Sequence, residues 1–331
     1  MMQSFFDSQN EKYKLHNQPI TTAMSSTEIP VIEGDVDYDV PSAGKPVKTH
    51  YWVHGDLKSG KTPLVALHGG PGSTHDYIAV ISDITKAHGI PVILYDQIGN
   101  GRSTHLPEKL GVADFWTVQL FIDELDSLLK HLGVQDNFDL YGHSWGGMLS
   151  IAFAVRQPKG LRKLILASAI PKMQDYVAST VKLRSTLPQD VQDTLTKHLA
   201  GEMVDPKELQ AAEGAYYGRF VISIESKEMT ASIVQLMSDP TVHFTMLGPN
   251  VFTVVGPLKD FDLIPELHKI NVPTLLTNGR WDGVQDSVVA PMFKHIAKTK
   301  WAHFAASSHA PHLEERERYM EVVGQFLTSG Y

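Results

Sequence analysis

Along most of the 331-residue chain, short apolar runs alternate with longer amphipathic ones. The stretch "KTHYWVHG" (48–55) alternates polar and apolar positions with a period of two, as a half-buried strand does. "TPLVALHGG" (62–70), "IPVILYDQIG" (90–99), "FDLYGHS" (138–144), "LRKLILASAI" (161–170), "VPTLLTNG" (272–279) and "WAHFAASSHA" (301–310) are compact apolar runs suited to buried strands. Between them lie segments with helical spacing: "HDYIAVISDITKAHG", closed by Gly89, "DFWTVQLFIDELDSLLKHLG", closed by Gly133, "WGGMLSIAFAVRQP", "DSVVAPMFKHIA" and "RERYMEVVGQFLTSG". Strand and helix in alternation predict an α/β class, a mainly parallel sheet with helices on both faces. The alternation stops between about Pro171 and Met246, where "DYVASTVKLRSTLP", "DVQDTLTKHLA", "PKELQAAEGAYYGRF" and "SKEMTASIVQLMSD" all read as helices. A helical block dropped into an α/β chain predicts a cap over the sheet edge where ligands bind, acting as a mobile lid.

Four segments follow: a polar arm over 1–28, the first part of a core over 29–170, a helical cap over 171–250, and the second part of the core over 251–331. Composition narrows the function. Apolar residues make up 42% and charged residues 20%, enough for a sizeable core. The net charge of −8 and the lack of a basic stripe argue against nucleic acid as a partner. No run approaches the ~18 apolar residues of a membrane span, and the N-terminus lacks a signal-peptide pattern, so a cytoplasmic protein without membrane contact is expected. Without cysteine there is no disulfide, thiolate nucleophile or thiolate metal site.

The candidate chemistry sits at strand ends. "GHSWG" fits the G-x-S-x-G nucleophile elbow, a strained strand-to-helix turn that pushes Ser144 into the open. A serine needs a base and the base an orienter, in the chain order Ser, acid, His. Asp282, after the strand "TLLTNG", and His309, after "FAASS", fit; Asp286 is a rival better placed at a helix start, and His312 a rival set further from its strand. In "LHGGPGS" the glycines leave backbone N–H groups open, making Gly70, with Trp145 after the nucleophile, the expected oxyanion donors. His68 and His143 read as scaffold histidines. His309 and His312 have no accompanying acidic or third histidine ligand, so neither a metal nor any cofactor is expected.

These residues, with "YDQIGNGRS", "GPNVFTVVGPLKDFD" and "SSHAPHLEERERYMEVVGQFL", resemble the proline iminopeptidase family of α/β-hydrolases (peptidase family S33), from about residue 45 to the C-terminus. The resemblance implies an α/β-hydrolase fold, a mainly parallel doubly wound sheet with a helical cap inserted after the sixth strand. It implies Ser144, Asp282 and His309 as the triad, with Gly70 and Trp145 as the oxyanion hole. In the family's peptidases, cap glutamates hold the substrate's free α-amine, one of them in a "GPNEF" motif. Here that position is Val251, and Glu213, Glu225 and Glu228 read as surface residues of the cap, with Glu213 or Glu225 as the alternative carboxylate that could replace the missing one. The expectation is therefore a serine hydrolase acting on a small neutral ester, lactone or amide. The alternatives are a true prolyl or amino-acid aminopeptidase or amidase, and a non-catalytic ligand-binding protein on the same fold. Tyr216, Tyr217, Phe220, Val251 and Phe252 are the candidate substrate-binding residues, with a place in the cap's own core as the alternative for the aromatic ones. Oligomeric state is not legible.

Overall fold

The computed structural model describes residues 29–330; the expected 1–28 arm lies outside the described residues. Eight strands form one sheet: β1 (Val31–Tyr38), β2 (Val47–His54), β3 (Leu64–Leu67), β4 (Val92–Tyr95), β5 (Phe138–His143), β6 (Leu161–Ala167), β7 (Thr274–Gly279) and β8 (Thr299–Phe304), in the spatial order β1-β2-β4-β3-β5-β6-β7-β8. The β1–β2 and β2–β4 pairs are antiparallel and all other pairs parallel. The parallel strands β3, β4 and β5 are buried along their whole length, which is why their sequences are continuous apolar runs.

β1 does not stand out in the sequence. It is an edge strand whose Glu33, Asp35 and Asp37 interrupt the apolar pattern and whose Val31 and Ile32 are exposed, a usual way of blunting a sheet edge. With β1 counted, the inserted helices follow the sixth strand.

The core helices are α1 (Asp83–His88), α2 (Val118–His131) and α3 (Trp145–Ala154), with α9 (Asp286–His295), α10 (Pro311–Glu314) and α11 (Arg316–Thr328) in the second part of the chain. The segment expected to be one helix over 75–89 is split: His75–Ser82 is wound as 3-10 turns and only α1 is α-helical. Tyr77, Ile78, Val80, Ile81 and Ile84 are all buried there, so the run is held by burial on several sides rather than by one apolar face. α2 begins one turn later than its apolar pattern, after Thr117, whose side chain accepts the Leu120 N–H at 3.2 Å. Every residue of α3 is buried, as a helix without a polar face must be.

Five helices make up the insertion: α4 (Met173–Arg184), α5 (Gln189–Leu199), α6 (Pro206–Phe220), α7 (Lys227–Ser238) and α8 (Thr241–Met246). They have a small core of their own, in which Leu187, Leu195, Ala212, Tyr216, Phe220 and Phe252 pack together. Hydrogen bonds tie them to the core: Thr74 N–H to Ser232 Oγ at 2.9 Å, Gly283 N–H to the Phe220 carbonyl at 3.2 Å, and Ser179 Oγ to the Gly283 carbonyl at 2.8 Å. Among the described residues, no helix is long and apolar enough to cross a membrane.

Candidate active site

Ser144 sits between β5 and α3 with φ +56° and ψ −118°, a backbone state that a non-glycine residue rarely holds. Its N–H donates to the Ala167 carbonyl at 2.9 Å, so the turn is fixed by the neighbouring strand β6. The flanking glycines are steric requirements. A Cβ on Gly146 would stand 2.3 Å from the Leu67 carbonyl oxygen, and one on Gly142 would stand 2.2 Å from the Gly146 carbonyl oxygen.

His309 follows β8 and Asp282 follows β7. The His309 Nδ1–H donates to Asp282 Oδ1 at 2.7 Å, and the Val284 N–H donates to the same oxygen at 2.7 Å. Asp282 is fully buried while His309 is partly open to the cavity, so this pair has one end in protein and one facing a ligand. The rivals lie elsewhere. Asp286 opens α9, accepts from Asn278 Nδ2 at 2.9 Å and lies 3.4 Å from His303. His312 is fully buried in α10 with neither ring nitrogen hydrogen-bonded, and burial holds its pKa down at about 3.

Trp145 is the first residue of α3, so its N–H has no acceptor within the helix. Gly70 faces Ser144 across the cavity with φ +113°; a Cβ there would stand 2.6 Å from the nitrogens of Gly72 and Ser73. The loop is held from several sides. His68 Nε2 accepts the Gln97 N–H at 3.0 Å, and the Gln97 side chain donates to the His68 carbonyl at 2.9 Å and accepts from Trp145 Nε1 at 2.8 Å. Burial keeps His68 neutral, with a pKa near 4. From the cap, His243 Nδ1–H donates to the Pro71 carbonyl at 2.9 Å.

Ser144 and His309 open onto a cavity of about 140 Å³ between core and cap. Tyr217 and Val251 line it, as do Tyr176 and the apolar side chains Ile222, Met229 and Ile233. A second, smaller lobe of about 30 Å³ adjoins Ser144 and Gly70 on the Trp145, Met148 and Met173 side. Three expected wall residues lie elsewhere: Tyr216, Phe220 and Phe252 belong to the cap's own core, with the Tyr216 and Phe252 rings edge-to-face at 4.6 Å. Residues 216 and 220 are one helical turn apart, and that spacing serves a cap core as well as a cavity wall.

One expectation is overturned. Glu213 is not a surface residue: it is 7% exposed and lines the cavity that holds Ser144 and His309. Burial raises its carboxyl above the usual carboxylate range, with His198 pulling the other way. Glu225 is exposed, and Glu228 accepts from its neighbour Ser226 at 2.9 Å. A lone glutamate on an amphipathic helix gives no sequence signal of the face it takes. Tyr77, Gln97 and His243 also escaped the sequence reading; only Gln97 lay in a quoted motif, "YDQIGNGRS".

A family model described as "alpha/beta hydrolase fold" matches residues 62–316. The chain belongs to the α/β-hydrolases. Within them it is a serine hydrolase of the proline iminopeptidase-like group. It is 35% identical over 282 residues to the proline iminopeptidase of Clostridium botulinum, covering 85% of this chain and 94% of that protein. With the proline iminopeptidase of Saccharolobus solfataricus it shares 33% identity over 276 residues, 83% of this chain and 87% of that one. Among solved structures, VinJ superposes with a TM-score of 0.83 at 44% identity, covering 89% of this chain and 98% of that one. The proline iminopeptidase of Mycobacterium smegmatis superposes with a TM-score of 0.82 at 35% identity, covering 89% and 97%.

Proposed function

We propose that this hydrolase removes a single N-terminal residue, proline or another small residue, from an amide by recognising its free α-amine. The observation that carries this reading is the buried carboxylate of Glu213 on the cavity wall. An ammonium group in a water-poor pocket is costly unless an anion meets it, and a buried carboxylate is equally costly alone. Each offsets the other's cost. The names of the relatives support the same reading, since several are proline iminopeptidases. The sequence expectation of a neutral substrate rested on Val251 at the family's glutamate position; Val251 does line the cavity, but so does the Glu213 carboxyl, which a bound ammonium would hold ionised.

In this mechanism the Ser144 Oγ attacks the acyl carbonyl as His309 Nε2 takes its proton. Asp282 holds the His309 Nδ1–H, fixing the tautomer and stabilising the imidazolium that forms. The N–H groups of Gly70 and Trp145 stabilise the oxyanion. His309 returns the proton to the leaving amine. Water, activated by the same histidine, then releases the amino acid from Ser144. The small lobe beside Trp145 and Met148 takes the side chain of the residue that acylates Ser144, and the apolar wall of Ile222, Met229 and Ile233 meets the leaving group.

The test is a Glu213→Gln variant assayed on prolyl- and alanyl-anilides beside neutral acyl esters. One charge-assisted pairing is worth about 1.5–3 kcal/mol, so kcat/KM for the amines should fall roughly 10- to 150-fold while the esters change little. Equal loss on both substrate types would remove Glu213 from amine recognition. A neutral ester hydrolase is the competing outcome, favoured by Val251 and visible as ester activity far above anilide activity in the native protein.

A further inference from the structure

Three loops meet at Ser144: the "HGGPG" loop after β3, the elbow after β5 and the His309 loop after β8. A chain of buried hydrogen bonds joins all three. Gly69 N–H reaches Tyr77 Oη at 2.7 Å, Tyr77 Oη lies 2.8 Å from His143 Nδ1, and His143 Nε2 lies 2.8 Å from the His309 carbonyl oxygen. Tyr77 is 3% exposed and His143 1%.

The protons in this chain have only one consistent arrangement. A backbone N–H can only donate, so Tyr77 Oη accepts from Gly69. A carbonyl can only accept, so His143 Nε2 carries a proton and donates to His309. Burial, with His309 and His312 close by, pushes the His143 pKa well down and keeps its ring neutral, leaving Nδ1 bare. Tyr77 Oη–H must then donate to Nδ1, and burial pushes the phenol's own pKa up, so that proton stays on. The Ser168 Oγ adds a second donor to the His309 carbonyl at 3.2 Å. The His143 ring lies against His309 at 4.9 Å and His312 at 4.8 Å, and His312 in turn against Tyr77 at 5.6 Å. The contact at Gly69 is tight: a Cβ there would stand 2.7 Å from Tyr77 Oη and 3.0 Å from the Ser144 Cβ.

We propose that Tyr77 and His143 are positioning residues that lock the oxyanion loop, the nucleophile and the general base into one register. The proposal rests on the triad reading above. Gly70 takes its place from Gly69, Ser144 from His143, and the His309 ring from a backbone whose carbonyl His143 holds. Gly69 and His143 thus directly precede Gly70 and Ser144, and His309 is itself the base. Two neutral side chains fix the relative placement of the three loops through hydrogen bonds that span 66 and 166 residues of sequence.

The experiment compares Tyr77→Phe, which keeps the ring and removes the hydroxyl, with Tyr38→Phe. Tyr38 is a buried tyrosine remote from the cavity whose hydroxyl donates to the Leu120 carbonyl at 2.6 Å. Misplacing reacting groups by an ångström costs roughly 10- to 100-fold, so Tyr77→Phe should lower kcat by about that factor with KM within about threefold, while Tyr38→Phe keeps kcat and loses only thermal stability. His143→Gln, which retains a donor toward His309 but offers Tyr77 no ring acceptor, should recover part of the kcat lost in His143→Ala. If Tyr77→Phe behaves like Tyr38→Phe, the pair has only a structural role and the proposal is overturned. Neutron diffraction of the native protein keeps the test decisive should the variants not fold. Deuterium on His143 Nε2 and none on Nδ1 supports the chain, and the reverse tautomer overturns it. Ser144→Ala, run in parallel, separates the two readings: if it retains activity the triad reading fails, whereas an inactive Ser144→Ala beside an unaffected Tyr77→Phe sinks this inference alone.

Discussion

At the scale of single residues, the account turns on which carboxylate serves which partner. Asp282 is fully buried and bonded to His309 Nδ1, whereas Asp286 is engaged with Asn278 and His303 at the head of α9. Asp282→Asn should therefore cost about 10⁴-fold in kcat through the wrong histidine tautomer, with Asp286→Asn close to native. Steady-state kinetics of both variants checks this, and a damaging Asp286→Asn beside a mild Asp282→Asn would reverse the assignment. Ser144→Ala and His309→Ala should each lose several orders of magnitude while remaining folded by circular dichroism. The triad candidates were legible in the sequence because each follows a short apolar strand and the chain order is constrained. Glu213 was not, because whether a helical glutamate faces solvent or a cavity depends on how α6 packs on the core, and no local spacing records that.

At the scale of elements, the elbow works because β3, β5 and α3 approach closely. The Leu67 carbonyl would stand 2.3 Å from a Cβ on Gly146, so Gly146→Ala must shift α3 away from β3. Overpacking of this kind costs about 1–3 kcal/mol. Urea unfolding should show that loss together with reduced fluorophosphonate labelling of Ser144; an unchanged midpoint would mean that the close approach is not rigid. The parallel strands and the long helices were legible from periodicity, because strands buried on both faces must be apolar throughout. β1 was not, since an edge strand carries the charges that protect it. α8 was not either: it spans only Thr241–Met246, too short for a helical period to show, yet it brings His243 to the Pro71 carbonyl. Tyr216, Phe220 and Phe252 show the remaining limit, for an aromatic row is required by a small cap core as much as by a pocket wall.

At the scale of the whole molecule, buried titratable groups set how stability varies with pH. His68, His143, His243 and His312 have pKa values lowered by burial from 6.5, so below that pH the unfolded chain binds protons that the fold refuses, and stability falls on acidification. Glu124 and Asp139 act the other way. Burial raises them from 4.5 to about 8 and from 3.8 to about 7, so the fold holds protons that the unfolded chain has released, and their contribution is lost as pH rises through those values. Between pH 4.5 and 6.5 the four histidines outnumber the raised acids Glu124, Asp139 and Glu213, and from pH 6.5 to about 8 the acids dominate. Thermal or urea unfolding should therefore show greatest stability near pH 6.5, with Glu124→Gln reducing the alkaline decline; a monotonic rise from pH 5 to pH 9 would contradict this. The cavity beneath the cap is where the proposed recognition of a free amine would take place. The most direct measurement is kcat/KM of the native protein for prolyl- and alanyl-anilides against the same compounds N-acetylated. Recognition of the ammonium predicts a preference of at least about 10-fold for the free amines. Equal rates, or faster cleavage of the acetylated compounds, would contradict it.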